Sequence, residues 1–140
     1  MLTDYSDLEK EIEEAPEPKY LPAGSEVKAR IVTVNTGTSD KNNCTWYMPT
    51  FDVPDDPMVM MFNDFFWHLD KDKLDAKDYQ QGLYKFQKFA ASFGIDYSRP
   101  FDWEDDLPGK EGWMILGVAK DKTGQYPDKN SVKKYIGPKA

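Results

Sequence analysis

The side chains that most often perform chemistry are scarce in this chain. It has one histidine, His68, and one cysteine, Cys44, among 140 residues. A single cysteine excludes an internal disulfide and a zinc site built from several cysteines. His68 has no serine or thiol placed beside it by a recognisable motif, and the chain has no glycine-rich phosphate loop. The sequence therefore predicts a protein that is not an enzyme and that holds neither a metal nor another cofactor.

Aromatic and basic side chains remain, and they can stack on nucleobases and pair with phosphates. The stretch Cys44–Asp52 alternates with a period of two, which predicts a strand with one buried face. Tyr47 and Phe51 share the face predicted to be buried, whereas Trp46 and Met48 share the other. Trp46 is thus either a platform for a base or the partner of an ordinary packing neighbour.

Cations accompany these aromatic residues in two parts of the chain. The preceding strand places Lys28 and Arg30 on its open face, and the loop that joins the two strands contains Lys41. In the last predicted strand, Lys133 and Tyr135 share one phase, and Tyr126 in the loop before it is a second candidate platform. The predicted nucleic-acid contacts are Lys28, Arg30, Lys41, Trp46, Tyr47, Met48, Tyr126, Lys129, Asn130, Lys133 and Tyr135.

The negative charge of the chain is concentrated at its N-terminus. Residues 1–18 hold seven acids and one lysine, a net charge of −6, which leaves −1 of the total −7 for the other 122 residues. Residues 110–140 carry seven lysines against three acids, a net charge of +4. The body is therefore near neutral with a basic end, and local cationic clusters can still support salt-sensitive binding of nucleic acid.

We divide the chain into an acidic N-terminal arm, residues 1–18, and one domain, residues 19–140. In the arm, Tyr5, Leu8 and Ile12 recur at helical spacing, but its acids and prolines favour an extended arm equally. The arm could dock on a partner, cover the protein's own groove or only aid solubility. No apolar stretch is long enough to span a bilayer, and the acidic N-terminus lacks a signal region, so we expect a cytoplasmic protein with no membrane partner.

The patterns predict three strands, one helix and two further strands. The third strand is expected over Met58–Trp67, the fourth over Gly112–Lys120 and the fifth over Ser131–Ile136. The helix is expected from Asp75 to Phe93, before the cap glycine Gly94. Its apolar stripe is predicted to be Tyr79, Leu83, Phe86, Ala90 and Phe93. This mainly β order is that of the five-stranded OB-fold barrel with a helix between strands 3 and 4, whose strand 2–3 face binds oligonucleotides.

Several stretches resemble a family of phage-encoded proteins. The run from Leu21 to Val53 is similar to the family's opening, with a Pro-x-Gly turn, a first strand, a small polar loop and a second strand. Leu83–Asp96 is similar to its helix with a terminal glycine. Gly109-Lys110 and Lys129–Lys134 resemble its closing elements. Members of this family are OB-fold single-stranded DNA-binding proteins of phage replication and recombination modules.

The resemblance implies sequence-independent binding of single-stranded DNA during phage replication or recombination, in the cytoplasm of the host cell. Replication or recombination proteins are candidate partners for residues 1–18, although bacterial single-strand binders usually carry their acidic segment at the C-terminus. The alternative is a small β-barrel interaction module that docks a phage or host protein through its acidic arm and its apolar surface. Salt-dependent affinity for oligonucleotides distinguishes the two, because only the first relies on phosphate contacts.

Overall fold

The computed structural model describes residues 1–138 and shows a mainly β protein with one long helix, which confirms the predicted fold class. Residues 139–140 of the predicted domain lie outside the described range. A single 3-10 turn over residues 6–8 precedes the first helix. The elements are α1 (Glu9–Glu13), β1 (Glu26–Thr38), β2 (Thr45–Asp52), β3 (Phe62–Asn63), β4 (Phe66–Trp67), α2 (Ala76–Phe93), α3 (Trp103–Asp106), β5 (Glu111–Ala119) and β6 (Lys129–Ile136).

All six strands belong to one antiparallel sheet. The order is β3-β2-β1-β5-β6, and β4 also pairs with β2. The sheet is open, because no hydrogen-bonded ladder joins β3 to β6 within residues 1–138. The five-stranded OB-fold barrel predicted from the sequence is therefore not confirmed, because the sheet is not closed and has six strands rather than five.

The additional strand arises because the predicted third strand, Met58–Trp67, is interrupted. Phe62 of β3 and Phe66 of β4 both pair with β2. Between them, the carboxylate of Asp64 accepts a hydrogen bond from the backbone N–H of Phe65 at 2.8 Å. A local bond of this kind competes with sheet pairing, so the apolar run forms two short strands.

The long strand β1 is shared by both halves of the sheet. Its first half pairs with β5 and its second half with β2, and the two ladders meet at Arg30. The register on β2 shifts between Ile31 and Thr33, and a bulge of this kind bends a strand. The predicted alternation holds before the bulge, where Lys28 and Arg30 are exposed. β1 continues to Thr38, so the loop to β2, which contains Lys41 as predicted, spans residues 39–44.

Helix α2 has the ends that the sequence predicts. The carboxylate of Asp75 accepts a hydrogen bond from the N–H of Asp78 at 2.7 Å, and Gly94 ends the helix with a φ of 69°. Left-handed backbone of this kind favours glycine. The local sequence therefore determines where the helix starts and stops.

The buried face of α2 differs from the predicted stripe. Phe89, which the prediction places off the stripe, is 0% exposed, whereas Leu83 is 39% exposed. Residues three and four apart share a helix face, and Phe86, Phe89 and Phe93 follow those intervals. This aromatic row packs against the sheet, and the prediction for Phe89 is wrong because the stripe was centred one position too far round the helix.

A group of side chains connects the two sheet edges to α2. Asp64, next to β3, accepts a hydrogen bond from the hydroxyl of Tyr135 in β6 at 2.6 Å. Lys85 of α2 donates to the same carboxylate at 2.9 Å and also to the carbonyl of Phe65. Its ammonium lies 4.4 Å from the centroid of the Phe66 ring. The edges β3 and β6 are thus held together by side chains rather than by backbone pairing.

The arm, residues 1–18, contains the short helix α1, which buries no residue. The body begins at Lys19, whose N–H donates to the carbonyl of Met58 at 2.9 Å and whose carbonyl accepts from Met60 at 2.8 Å. Lys19 also forms an ion pair with Asp56 at 2.9 Å. Within residues 1–138, the structure has no helix with both the length and the apolar character needed to cross a membrane.

Candidate nucleic-acid interface

The open face of β1 and β2 carries Trp46 above a glycine. Trp46 lies opposite Gly37 in the register of the two strands, and Met48 lies opposite Asn35. A Cβ added at Gly37 would come within 2.8 Å of Cε2 of Trp46. The indole of Trp46 therefore lies directly over Gly37. The ring can take this position because Gly37 has no side chain.

Two further aromatic side chains extend this face. Trp67 of β4 pairs directly with Trp46 of β2, so the two indoles belong to the same side of the sheet. The ring of Phe65 lies 5.9 Å from that of Trp46 and 4.8 Å from that of Trp67, measured between centroids. We call Trp46, Phe65 and Trp67 the outer aromatic surface. Trp46 and Trp67 are half-buried and Phe65 is 36% exposed. The three rings therefore pack on one another and are still partly accessible to solvent.

Phe65 and Trp67 are not among the contacts predicted from the sequence. Of this aromatic run only Phe66 belongs to the core, at 1% exposed. The alternation of Phe66 with its two neighbours was the available signal, since successive strand residues point to opposite faces. The interruption at Asp64 obscured that alternation.

The predicted cations of this face differ in their availability. Lys28 and Lys41 are exposed. Arg30 instead forms a double hydrogen bond with Asp52, from Nε at 3.1 Å and from Nη2 at 2.5 Å. Hydrogen bonding to Asp52 raises the pKa of Arg30. Part of the Arg30 charge is therefore neutralised within the protein, which leaves the two lysines as the cations free to meet a phosphate.

The predicted contacts near the C-terminus separate into exposed and buried side chains. Lys129, Lys133 and Tyr126 are exposed, and Tyr126 belongs to a loop that the carboxylate of Asp121 organises by accepting its backbone N–H at 3.0 Å. These three residues remain candidates for contact. The structure does not bring them into contact with Trp46.

Two predictions in β6 are wrong because the side chains are buried. Asn130 is 5% exposed and bonds to the backbone of Leu21 in both directions, each at 2.8 Å. Tyr135 is also 5% exposed. Its burial, and then the neighbouring Asp64, raise the pKa of its phenol well above the ordinary value. Neither residue offers a surface to a ligand, and Tyr135 does not share an exposed face with Lys133.

Tyr47 points away from the outer aromatic surface, as its position in the alternation predicts. Its ring stacks on Trp103 of α3 with a centroid separation of 4.3 Å and an interplanar angle of 4°. Its hydroxyl lies 2.9 Å from Nδ1 of His68, and burial raises the pKa of its phenol. Tyr47 is therefore part of a second aromatic group on the other side of β2.

The nucleophilic and metal-binding side chains form no recognisable centre. Cys44 is buried, with Sγ 3.4 Å from the carbonyl of His68, and burial raises the pKa of its thiol. Across residues 1–138, histidine, cysteine, aspartate and glutamate form no group of three or more that could hold a metal ion. Comparison of the chain with protein-family models and with curated proteins gave no match.

Proposed function

We propose that this protein binds single-stranded DNA without sequence preference, through a partly open OB-fold. The observation that carries the proposal is the outer aromatic surface, because Trp46 lies on the open sheet face that also carries the exposed Lys28, and the exposed Lys41 lies in the loop that precedes β2. Stacking on such rings and pairing with phosphates together bind single strands independently of sequence. We further propose that the protein acts in phage DNA replication or recombination, on the strength of the sequence resemblance.

The topology supports the fold part of the proposal. The OB-fold is a five-stranded, partly open Greek-key barrel whose strand 2–3 face binds oligonucleotides. Here β1 lies between β2 and β5, and α2 stands between β4 and β5 in the chain. The edges β3 and β6 are bridged by Asp64 and Tyr135, at the place where a barrel would close. The outer aromatic surface belongs to β2 and β4, on the corresponding face.

The first test is a titration of a labelled oligo-dT with the full chain, followed by fluorescence anisotropy at about 50 and about 200 mM salt. Single-strand affinity falls with salt roughly as −0.7 per neutralised phosphate on a log–log scale. With about three phosphates neutralised, affinity should fall about tenfold or more between the two salt concentrations. Absence of saturable binding at the lower salt concentration would refute the proposed function.

Trp46→Ala tests the stacking role of the outer aromatic surface. The loss of one stacking ring costs about 1–3 kcal/mol, so affinity should fall at least fivefold, whereas Trp46→Phe should retain most of it. Tyr84→Ala is a matched control, because Tyr84 is an aromatic residue that is 60% exposed on α2. Equal affinities of the Trp46→Ala and Tyr84→Ala variants would show that bases do not stack on Trp46.

A second candidate function is protein docking through the arm. Tyr5 is 61% exposed, Leu8 43% and Ile12 59%, so an apolar stripe flanked by acids is presented to solvent. Such a stripe fits an apolar groove edged by cations on a partner. In the full chain, the double variant Leu8→Ala/Ile12→Ala should abolish capture of such a partner while leaving oligo-dT affinity unchanged. Retained capture of the partner together with reduced oligo-dT affinity would exclude this candidate.

A further inference from the structure

A cavity of about 500 Å³ opens on the side of β2 opposite the outer aromatic surface. Its walls come from β2, residues 68–69 after β4, α2, the loop 96–102 and α3. We call it the aromatic cleft, after the phenylalanine, tyrosine and tryptophan residues in its lining: Tyr47, Phe86, Tyr97, Phe101 and Trp103. Its volume is in the range of about 300–1,000 Å³ that is typical of small-molecule sites.

The rings of the aromatic cleft are held in place by one another. Phe101 lies 5.9 Å from Tyr97 and 5.7 Å from Trp103, between centroids, and Trp103 stacks on Tyr47. The Tyr97 hydroxyl donates to the carbonyl of Phe86 at 2.8 Å, which ties the loop to α2. Tyr97 is nevertheless 41% exposed and Phe101 is half-buried. The rings of Tyr97 and Phe101 are thus pre-positioned and remain accessible to a planar ligand, whereas Tyr47 and Trp103 stack on each other.

A cation stands at the rim of this apolar cleft. The side chain of Arg99 is 80% exposed, and Asp96 contacts only its Nε, at 3.4 Å. A guanidinium has five N–H donors, so the Asp96 pair leaves most of them facing solvent. Asp96 also accepts from the hydroxyl of Ser98 at 2.7 Å, which fixes the loop beside the rings. An apolar slot next to an accessible guanidinium fits a flat ring that carries an anionic group nearby.

A nucleotide has that combination, and the position of the aromatic cleft fits a single strand. Trp46 and Tyr47 are consecutive in β2, so their side chains leave opposite faces of the strand. The outer aromatic surface and the aromatic cleft therefore lie on the two sides of the same strand end. A nucleic-acid strand that passes over the start of β2 would meet both.

We propose that the aromatic cleft binds one nucleobase of the single strand and that Arg99 contacts a phosphate next to that base. This inference rests on the proposed function, and it adds a second stacking site with its own cation. His68 and Ser98 also line the cleft and supply polar groups that can bond to the edge of the base.

The test is photo-cross-linking of the full chain to oligo-dT in which one thymine is replaced by 5-iodouracil, with mass spectrometry of the adducts. Adducts on Tyr47, Tyr97 or Phe101 are expected. Adducts confined to the outer aromatic surface would overturn the cleft proposal and leave the proposed function intact. Failure of the oligonucleotide to bind at all would overturn both.

Substitutions at the rim provide an independent readout. Arg99→Ala should weaken oligo-dT binding severalfold and reduce the salt slope by about 0.7, the value for one phosphate contact on a single strand, whereas Arg99→Lys should restore the slope. Phe101→Ala should lower affinity about fivefold or more through lost stacking. Lys88→Ala and Tyr84→Ala on α2 are the matched controls. If Arg99→Ala binds like Lys88→Ala, the cleft serves another occupant, such as an aromatic side chain of a protein, and the proposal is wrong.

Discussion

Removal of one hydroxyl from the protein tests how the open sheet is held together. Tyr135→Phe deletes the hydrogen bond to Asp64 and keeps the ring, which is 5% exposed and packs among core aromatics. The carboxylate of Asp64 retains two donors, Lys85 Nζ at 2.9 Å and the N–H of Phe65 at 2.8 Å. The substitution therefore isolates a single bond between the edges β3 and β6.

The size of the effect follows from the charge of the acceptor. A hydrogen bond to a charged group contributes about 1.5–3 kcal/mol. Because the Asp64 side chain is 17% exposed and keeps its other partners, we expect a loss near the lower end, about 2 kcal/mol. Asp64→Ala should cost more, about 3 kcal/mol, because it also leaves the buried Tyr135 hydroxyl without an acceptor.

Urea denaturation followed by far-UV circular dichroism measures both losses. Tyr84→Phe is the control, since a surface hydroxyl contributes at most about 0.5 kcal/mol. A cycle with Lys85→Met should be non-additive by about 0.5 kcal/mol or more, because both donors share one carboxylate. If Tyr135→Phe were as stable as Tyr84→Phe, the idea that this bond holds the sheet edges together would be refuted.

Three further predictions concern other parts of the chain. Gly37→Ala should displace the Trp46 indole and weaken oligo-dT binding while changing stability by less than about 1 kcal/mol; unchanged tryptophan emission and affinity would contradict this. Asp75→Ala removes the N-cap of α2 and should lower the free energy of unfolding, measured by urea denaturation, by about 1 kcal/mol. Asp72→Ala, a substitution of an exposed aspartate, is the control. Burial raises the pKa of Cys44 above 9.0, and burial with Asp64 raises that of Tyr135 above 10.0. Unfolding releases these protons at alkaline pH, so the free energy of unfolding should fall as pH rises beyond about 9. Equal free energies of unfolding near pH 8 and near pH 10.5 would contradict this predicted pH dependence.

The elements set by local chemistry were predictable from the sequence. Asp75 and Gly94 mark the ends of α2 through a carboxylate cap and a left-handed turn, and both signals lie within a few residues of the structure they determine. The alternation through Tyr47 and Phe51 likewise assigned the faces of β2 correctly, because one buried face demands a period of two. The open face with Trp46 follows from the same pattern.

The features that were not predictable depend on contacts between distant segments. Strict alternation along β6 places Tyr135 on the same face as the exposed Lys133. The register of the β5–β6 ladder shifts, however, and the ring of Tyr135 therefore points into the core. Asn130 is buried because its amide meets the backbone of Leu21, far away in sequence. The aromatic cleft combines Tyr47, Phe86 and Phe101, whose proximity no local pattern encodes.

The division of β1 between two partners has a consequence for how the chain folds. The half that pairs with β2 meets a segment only one short loop away, so the hairpin between Thr38 and Thr45 can close early. The other half pairs Lys28 with Trp113, across most of the chain. Loop-closure entropy must be overcome before such distant pairs gain stability, and folds dominated by them form in milliseconds to seconds. We therefore expect the hairpin to form first and the docking of β5 onto β1 to limit the folding rate.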